Sequence, residues 1–361
     1  MKLIRWILAV LACILFVACP VMTRAEKKPV ILDADMVDLF DDGMAMVMLA
    51  KAPNIDLLGV SVVIGNTWVE TGTASAIRQL EGLGKAQDIP VYMGINTVTR
   101  AGRLTMIEKE RQFFGKGPDS HLGAAGYAQP ASWKEAYKAN YGEEPTAGPM
   151  KENAVDFIIR TVKERPHEVT IVSIGTSANL AAALRKAPEI APLVKQVCYM
   201  GGAFFVNGNV SPAAEFNFWM DPESSRIALR APWGEQLIAP LDVCEKVFFT
   251  KARYDRFTST LKTPLFKDMW EKHWMTPLFR SDDKFRSWVW DVISAAAVID
   301  PSVITEEVTY PVDINDTYSL SYGQSLAFKG FGPEGSQKAR IILSVDEEKL
   351  WNMIYTAEEG L

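Results

Sequence analysis

PVILDADMVDLFDDGMAMVML, residues 29–49 of this 361-residue chain, combines a predicted strand, an acidic turn and a predicted helix. Its apolar run at residues 30–32 predicts a buried strand, and the run at residues 43–50 predicts a helix. The turn between such a strand and its helix lies at the carboxyl end of the strand, where open α/β sheets bind their ligands. Five carboxylates occupy this turn: Asp33, Asp35, Asp38, Asp41 and Asp42.

The five aspartates need protons or a positive partner. Close pairs of like charges repel by roughly 4 kcal/mol at an effective dielectric constant near 20, and no Lys or Arg interrupts residues 33–42. Any one aspartate here could be a helix N-cap or a solvated turn residue, but five together indicate a cation site. Oxygen ligands without His or Cys favour Ca²⁺ or Mg²⁺ over zinc, and a ligand set completed by carbonyl groups and water suits Ca²⁺.

Apolar runs alternate with amphipathic stretches along the rest of the chain. We therefore expect an α/β fold with an open, mostly parallel central sheet flanked by helices. A small antiparallel addition is expected at residues 308–328, before a last helix at 347–357. Residues 97–150 are expected to be a loop region over a site, with one short helix near Trp133 and Tyr137. Further strands are predicted at 57–64, 169–174 and 194–200, and further helices at 69–83, 154–163 and 179–186.

The composition is that of a globular protein that binds a small ligand. Hydrophobic residues make up 48% of the chain and charged residues 23%, which is ordinary for a domain with a sizeable core. The formal net charge of -6 disfavours a nucleic-acid partner, because no excess of Lys and Arg is available to neutralise phosphate groups.

The first 25 residues have the pattern of a secretory signal. Two basic residues precede an apolar run at residues 7–16, which is short for a membrane span of about 20 residues. Small residues at the end of the segment predict cleavage after Ala25. The product would be a single domain at residues 26–361, periplasmic or secreted, with no stable membrane span. An uncleaved N-terminal anchor is the alternative.

The cysteines do not form a disulfide framework. Cys13 and Cys19 lie inside the signal segment, and Cys198 and Cys244 lie in apolar contexts that predict buried free thiols. The residues before Cys19 loosely resemble a lipoprotein cleavage site. Lipidation at Cys19 is therefore a further alternative to simple cleavage.

Four segments resemble, in order along the chain, the calcium-dependent nucleoside hydrolases of the inosine-uridine preferring type. The first is the acidic turn, which is similar to a longer version of the family signature. The resemblance covers most of residues 29–310 and implies a Rossmann-like nucleoside hydrolase fold, a small-molecule ribonucleoside as substrate and Ca²⁺ as cofactor. The other three segments are SVVIGNTWVE (61–70), VSIGTSANLAAALRKAPEI (172–190) and YMGGAFFVNGNVSPAAEFNFWMDPESSRI (199–227).

The resemblance also implies roles for individual residues. Asp35 and Asp42 would be side-chain ligands of Ca²⁺, and Asp35 would also be the base that takes a proton from water. Asp291, expected on a helix within residues 287–304, and the backbone carbonyl of Ala178 would complete the ligand set. Asp33 would support it, while Asp38, an extra residue of the longer turn, would support it or be merely solvated. The ribose would be held or contacted by Asp41, Asn66, Met200, Asn209, Glu215 and Asn217.

One departure from the family pattern concerns the leaving base. Many relatives carry a His before the last calcium aspartate, and this chain carries Trp290. A purine-specific branch has Trp at that place, where the indole stacks on the purine and favours its protonation. We therefore expect a catalytic role for Trp290 and a purine preference, with core packing as the alternative for this side chain. Relatives are commonly dimers or tetramers, which predicts a homodimer or homotetramer.

Two rival functions stay open at this point. The sequence Asp-x-Asp after a first strand also occurs in Mg²⁺-dependent phosphatases that form an aspartyl-phosphate, here on Asp33. The Asn and Glu residues further along the chain suit sugar hydroxyls better than phosphate. The other rival is a secreted nucleoside-binding protein that keeps the ribose and calcium site but has lost turnover together with the histidine.

Overall fold

The computed structural model describes residues 27–114 and 121–361 of the chain. The predicted signal segment at residues 1–25 lies outside the described residues, so its cleavage stays a prediction. No helix within the described ranges is long and apolar enough to cross a membrane.

Within the described residues, a nine-stranded sheet forms the centre of the fold, and two further strands form a separate antiparallel sheet. The strands are β1 (Lys28–Ala34), β2 (Ile55–Val62), β3 (Val91–Met93), β4 (Thr170–Ser173), β5 (Gln196–Met200), β6 (Gln236–Ala239), β7 (Phe248–Thr250), β8 (Arg286–Trp288), β9 (Ile304–Ile314), β10 (Ser325–Ala327) and β11 (Gln337–Val345). The order in the large sheet is β10-β9-β11-β6-β5-β4-β1-β2-β3, and β7 pairs with β8. Every pair from β3 across to β11 is parallel, whereas β9 pairs antiparallel with β11 and β10. The expected sheet, including its antiparallel addition, is confirmed.

Helices cover both faces of this sheet. They are α1 (Asp42–Lys51), α2 (Val69–Gly82), α3 (Arg103–Phe114), α4 (Trp133–Tyr141), α5 (Ala154–Glu164), α6 (Ala178–Lys186), α7 (Phe216–Met220), α8 (Pro222–Arg230), α9 (Leu241–Cys244), α10 (Lys251–Thr260), α11 (Pro264–Lys272), α12 (Met275–Ser281), α13 (Asp291–Ile299) and α14 (Glu347–Glu358). One core contains α1, α2, α13 and α14, and the other contains α5, α6 and α8. Val30 and Leu32 point into the first core and Ile31 into the second, as the alternation of a strand requires.

The prediction for residues 97–150 was incomplete. The short helix near Trp133 and Tyr137 is confirmed as α4, but α3 was expected to be loop. Arg103 in α3 is buried, and its Nη1 donates to both carboxylate oxygens of Glu110 at 2.6 Å. Because the buried side of α3 carries the Arg103–Glu110 ion pair on either side of Ile107, hydrophobic periodicity is weak and does not reveal this helix.

The helix expected within residues 287–304 is shorter than predicted. Its first part is strand β8, and α13 begins only at Asp291. The aromatic and β-branched residues before Asp291 favour a strand, so the apolar run contains two elements. Cys198 and Cys244 are buried free thiols, as expected.

Candidate active site

The acidic turn lies where the strand order of the sheet reverses. β1 has β2 and then β3 on one side, and β4, β5 and β6 on the other. A crevice forms at the carboxyl ends of the strands on both sides of such a point, and it is the usual ligand site of open α/β sheets. Asp33 is the last but one residue of β1, and Asp42 is the first residue of α1.

Asp35 is enclosed between the two strands that flank β1. Its Oδ2 accepts a hydrogen bond from the backbone N–H of Asn66 at 2.6 Å. A Cβ added to Gly65 would lie 2.0 Å from Asp35 Oδ2, and one added to Gly175 would lie 2.7 Å from Oδ1. These two glycines follow β2 and β4, so both neighbouring strands leave room for this carboxylate.

Asn66 connects Asp35 to Asp42. Its backbone N–H binds Asp35, and its side-chain Nδ2 donates to Asp42 Oδ2 at 3.2 Å. Asp33 is held separately, because Asn179 Nδ2 donates to its Oδ1 at 2.7 Å. Sequence reasoning missed Asn179 and Gly175. An amide near the start of a helix is common, so the segment GTSAN carries no distinctive signal for this role.

Asp41 links the acidic turn to the start of helix α13. It precedes α1, but its side chain makes no capping bond to that helix. Its Oδ1 accepts instead from the backbone N–H of Asp291 at 2.8 Å and of Trp290 at 3.4 Å. One oxygen of Asp41 is thus used at the start of α13, and this bond places Asp291 beside the acidic turn.

Three of the predicted ribose residues, Met200, Glu215 and Asn217, lie together at the ends of β4 and β5, whereas Asp41 and Asn66 lie at the acidic turn. Glu215 Oε2 accepts from the N–H of Gly202 at 2.8 Å, and Oε1 accepts from the N–H of Asn217 at 2.8 Å. Asn217 Nδ2 donates to the carbonyl oxygens of Ile174 and Met200. The side chains of Met200, Glu215 and Asn217 are buried, as are Asn209, whose Oδ1 accepts from the N–H of Phe216, and Ala178, the first residue of α6.

Burial raises the pKa values throughout the acidic cluster. It raises the pKa of Asp33 and Asp41 to about 7 and that of Asp35 to about 6. Burial and then the charges of neighbouring aspartates hold the pKa of Asp42 and Asp291 well above the ordinary range. No basic side chain of the described chain is among the leading causes of these shifts. The cluster therefore lacks a counter-charge.

The donor atoms fit a hard cation. Within residues 27–114 and 121–361, no group of three His, Cys, Asp or Glu side chains is already gathered closely enough to hold a metal ion. However, Asp33 Oδ2, Asp35 Oδ1 and Asp42 Oδ1 are all buried without a hydrogen-bond partner. Such oxygens in a native protein indicate an ion or water that belongs there. Oxygen donors without nitrogen or sulfur match Ca²⁺.

Two predicted placements need correction or qualification. Asp38 is not solvated, because it accepts hydrogen bonds from Ser75 and Tyr141 on the outer side of the turn. Asp33 is fully buried with one oxygen bound to Asn179, which does not suit the attacking nucleophile of an aspartyl-phosphate phosphatase. Two surface cavities, of about 500 and 470 Å³, lie at α12 and between α1 and α14, away from this cluster.

Trp290 is placed at the N-terminus of α13 next to Asp291. Its indole is partly buried, and its Nε1 has no hydrogen-bond partner. The ring centroid lies 6.3 Å from that of Trp288 in β8. The indole of Trp290 is therefore neither fully enclosed in the core nor hydrogen-bonded to another described residue.

Comparison with known proteins identifies the chain's relatives. The model of the family described as inosine-uridine preferring nucleoside hydrolase matches residues 30–352. An uncharacterized Schizosaccharomyces pombe protein is 34% identical, and the aligned part is 63% of this chain and 65% of that protein. A pyrimidine-specific ribonucleoside hydrolase of Escherichia coli is 28% identical over 93% of this chain and 98% of its own length. The solved structure of a plant nucleoside hydrolase has a TM-score of 0.74 and 26% identity, covering 92% of this chain and 99% of that one.

Proposed function

The chain belongs to the inosine-uridine preferring nucleoside hydrolase family, whose members are hydrolases of N-glycosyl compounds. Because it belongs to this family, we propose the following reaction for the protein. The protein hydrolyses the N-glycosidic bond of ribonucleosides to free base and ribose. It does so with a Ca²⁺ ion held by Asp35, Asp42, Asp291 and the Ala178 carbonyl.

One observation carries this proposal. Asn66 binds Asp35 through its backbone N–H and Asp42 through its side-chain amide, yet each aspartate keeps a buried carboxylate oxygen without a partner. The charge of Asp35 also contributes to the raised pKa of Glu215, so the acidic turn and the predicted ribose residues lie within electrostatic reach of each other. A divalent cation would neutralise the acidic side, and hydroxyl groups would bind on the Glu215 side.

The site residues have separate roles in the proposed reaction. A bound Ca²⁺ would lower the pKa of a water molecule. Asp35, enclosed by two glycines, would be the base that takes a proton from water through its Oδ1, which has no hydrogen-bond partner. Glu215 is held by three backbone N–H groups and keeps lone pairs for ribose hydroxyls. Bonds to those hydroxyls strengthen as the sugar becomes oxocarbenium-like, so they lower the barrier more than they favour substrate binding.

The direct test is a panel of purine and pyrimidine ribonucleosides incubated with the calcium-loaded protein, with free ribose as the readout. We expect ribose from at least one nucleoside and none after chelation of calcium. Release of no ribose from any nucleoside, together with tight nucleoside binding measured by calorimetry, would instead support the nucleoside-binding protein.

The glycines beside Asp35 offer a first prediction. Gly65→Ala is expected to lower the rate of ribose release by about 100-fold, because the new methyl group would displace the Asp35 carboxylate. Gly126→Ala is the matched control, since its Cβ would lie no closer than 3.3 Å to any neighbour. Equal rates for the two variants would show that Asp35 needs no such enclosure.

A second prediction concerns Trp290 and the choice of base. Stacking of a base on an aromatic ring contributes about 1–3 kcal/mol, so Trp290→Ala is expected to lower kcat/KM for inosine by roughly ten- to a hundredfold, and less for uridine. Trp288→Ala, which removes the neighbouring indole, serves as the control. Because one relative is named pyrimidine-specific, the wild-type comparison decides: uridine cleaved as fast as inosine would refute a purine preference.

A third prediction is export. We expect the mature protein to begin at Glu26 and to be found in the periplasm or outside the cell. Mass spectrometry of the N-terminal peptide measures this directly. A lipidated peptide that begins at Cys19 would establish the anchored alternative, and an intact Met1 peptide in the membrane fraction would establish the uncleaved one.

A further inference from the structure

The turn between Asp35 and Asp41 is fixed from the side that faces away from the acidic cluster. Met36, Leu39 and Phe40 are buried in the core that contains α1 and α2. Leu39 has φ of +58°, a left-handed conformation that costs free energy for a side chain of this kind. A strained turn persists only if its surroundings hold it in place, so its anchors determine where the flanking aspartates lie.

Gln79 of α2 is the anchor of the turn's backbone. It is fully buried, and its Oε1 accepts from the N–H of Leu39 at 2.9 Å. Its Nε2 donates to the carbonyl of Val37 at 3.2 Å. One amide side chain therefore binds the polar groups of the two residues that flank Asp38.

The side chain of Asp38 is the second anchor of the turn. Its Oδ1 accepts from the hydroxyl of Ser75 in α2, and the hydroxyl of Tyr141 in α4 lies 2.8 Å from Oδ1 and 3.0 Å from Oδ2. The guanidinium of Arg78 lies 5.4 Å from the centroid of the Tyr141 ring and lowers the cost of the buried charge on Asp38. The carboxylate is thus directed away from the acidic cluster and into a closed set of donors.

We propose that Tyr141 and Ser75 are positioning residues that act through Asp38 to hold Asp35 and Asp42 in place for the cation. This inference rests on the proposed calcium site. It assigns a second task to α4, a helix between β3 and β4 that packs against α2. Calcium affinity, more than folding, depends on the Tyr141 hydroxyl.

The Tyr141→Phe variant tests this directly, because it removes the hydroxyl and keeps the ring. We expect its calcium affinity, measured by calorimetry on the purified protein without nucleoside, to fall by about tenfold. Tyr137→Phe is the matched control: Tyr137 lies one turn earlier on α4, and its hydroxyl binds Glu81 and Arg78 instead of Asp38. The melting temperature of the calcium-free protein should fall to a similar extent in both variants.

The outcomes separate the inference from its premise. If the wild type does not bind calcium, the calcium site and this inference both fail. If the wild type binds and Tyr141→Phe binds equally well, or if Tyr137→Phe weakens binding as much, the inference alone fails, because α4 then has only a structural role.

A double-mutant cycle distinguishes the hydrogen bond from the charge of Asp38. Asp38→Asn keeps the shape of the side chain and weakens its bond to the Tyr141 hydroxyl. If both act through one bond, the Asp38→Asn and Tyr141→Phe effects on calcium affinity will be clearly less than multiplicative in the double variant. If Asp38→Asn weakens binding and Tyr141→Phe does not, Asp38 acts through its charge and the proposal is overturned.

Discussion

Asp35→Asn is expected to reduce the release of ribose by at least about 10³-fold, the upper part of the range for loss of a general base. The amide keeps the shape of the side chain and its bond to the Asn66 N–H. However, it is neutral, so it cannot act as a base and offers no negative charge to a cation. Steady-state assays on inosine and uridine measure the loss. Asp56→Asn, an exposed carboxylate on the neighbouring strand β2, is the control and should retain full activity.

The same substitution should not destabilise the fold. Burial raises the pKa of Asp35 to about 6, so the ionised side chain opposes folding at pH 8 when no cation is present. We therefore expect the calcium-free Asp35→Asn protein to melt at the same temperature as the wild type or higher. An inactive variant with a clearly lower melting temperature would show that Asp35 is chiefly structural.

Removal of calcium is expected to make stability depend strongly on pH. Asp33, Asp35 and Glu215 have folded-state pKa values of about 7, 6 and 7, above their ordinary values near 4. Their contribution to stability is therefore fully present below about pH 4 and is lost as the pH rises through about 7. With chelator, we expect the melting temperature to fall by roughly 5–10 °C between pH 5 and pH 8.

Calcium should reverse this dependence, since it binds the ionised carboxylates. Its stabilising effect, measured by differential scanning calorimetry, should be large at pH 8 and small at pH 5. His273 acts in the opposite direction: burial lowers its pKa to about 4, so its contribution is lost as the pH falls from about 6.5 through 4. Identical pH profiles with and without calcium would contradict a cation at the acidic cluster.

Much of this architecture follows from local sequence pattern. Strand β1 and helix α1 could be predicted because each contains a continuous apolar run, and the acidic turn separates the two runs. The antiparallel addition followed from alternating residues in β9. The placement of Asp33, Asp35 and Asp42 at a ligand crevice followed from their position in the turn at the carboxyl end of β1, where open α/β sheets bind their ligands.

The remaining features depend on contacts that sequence pattern does not encode. Helix α3 has a buried Arg103–Glu110 pair where a pattern search expects apolar residues. Asn179 holds Asp33, but an amide near a helix N-terminus is common and carries no distinctive signal. In the sequence, Asp38 is one more acidic residue of the turn. Only its hydrogen bond with Tyr141, a residue far along the chain, shows that the Asp38 side chain points away from the acidic cluster.

The bond between Asp41 and the backbone of Asp291 joins residues that are 250 positions apart. Closing so long a segment is entropically unfavourable until the intervening sheet has formed, so this contact belongs to a late stage of folding. A ribosome-bound chain that ends before residue 291 already contains the acidic turn but lacks its partner on α13. Catalytic competence should therefore appear only after Asp291 has been synthesised and has reached Asp41, which makes activity a sensitive measure of correctly assembled protein.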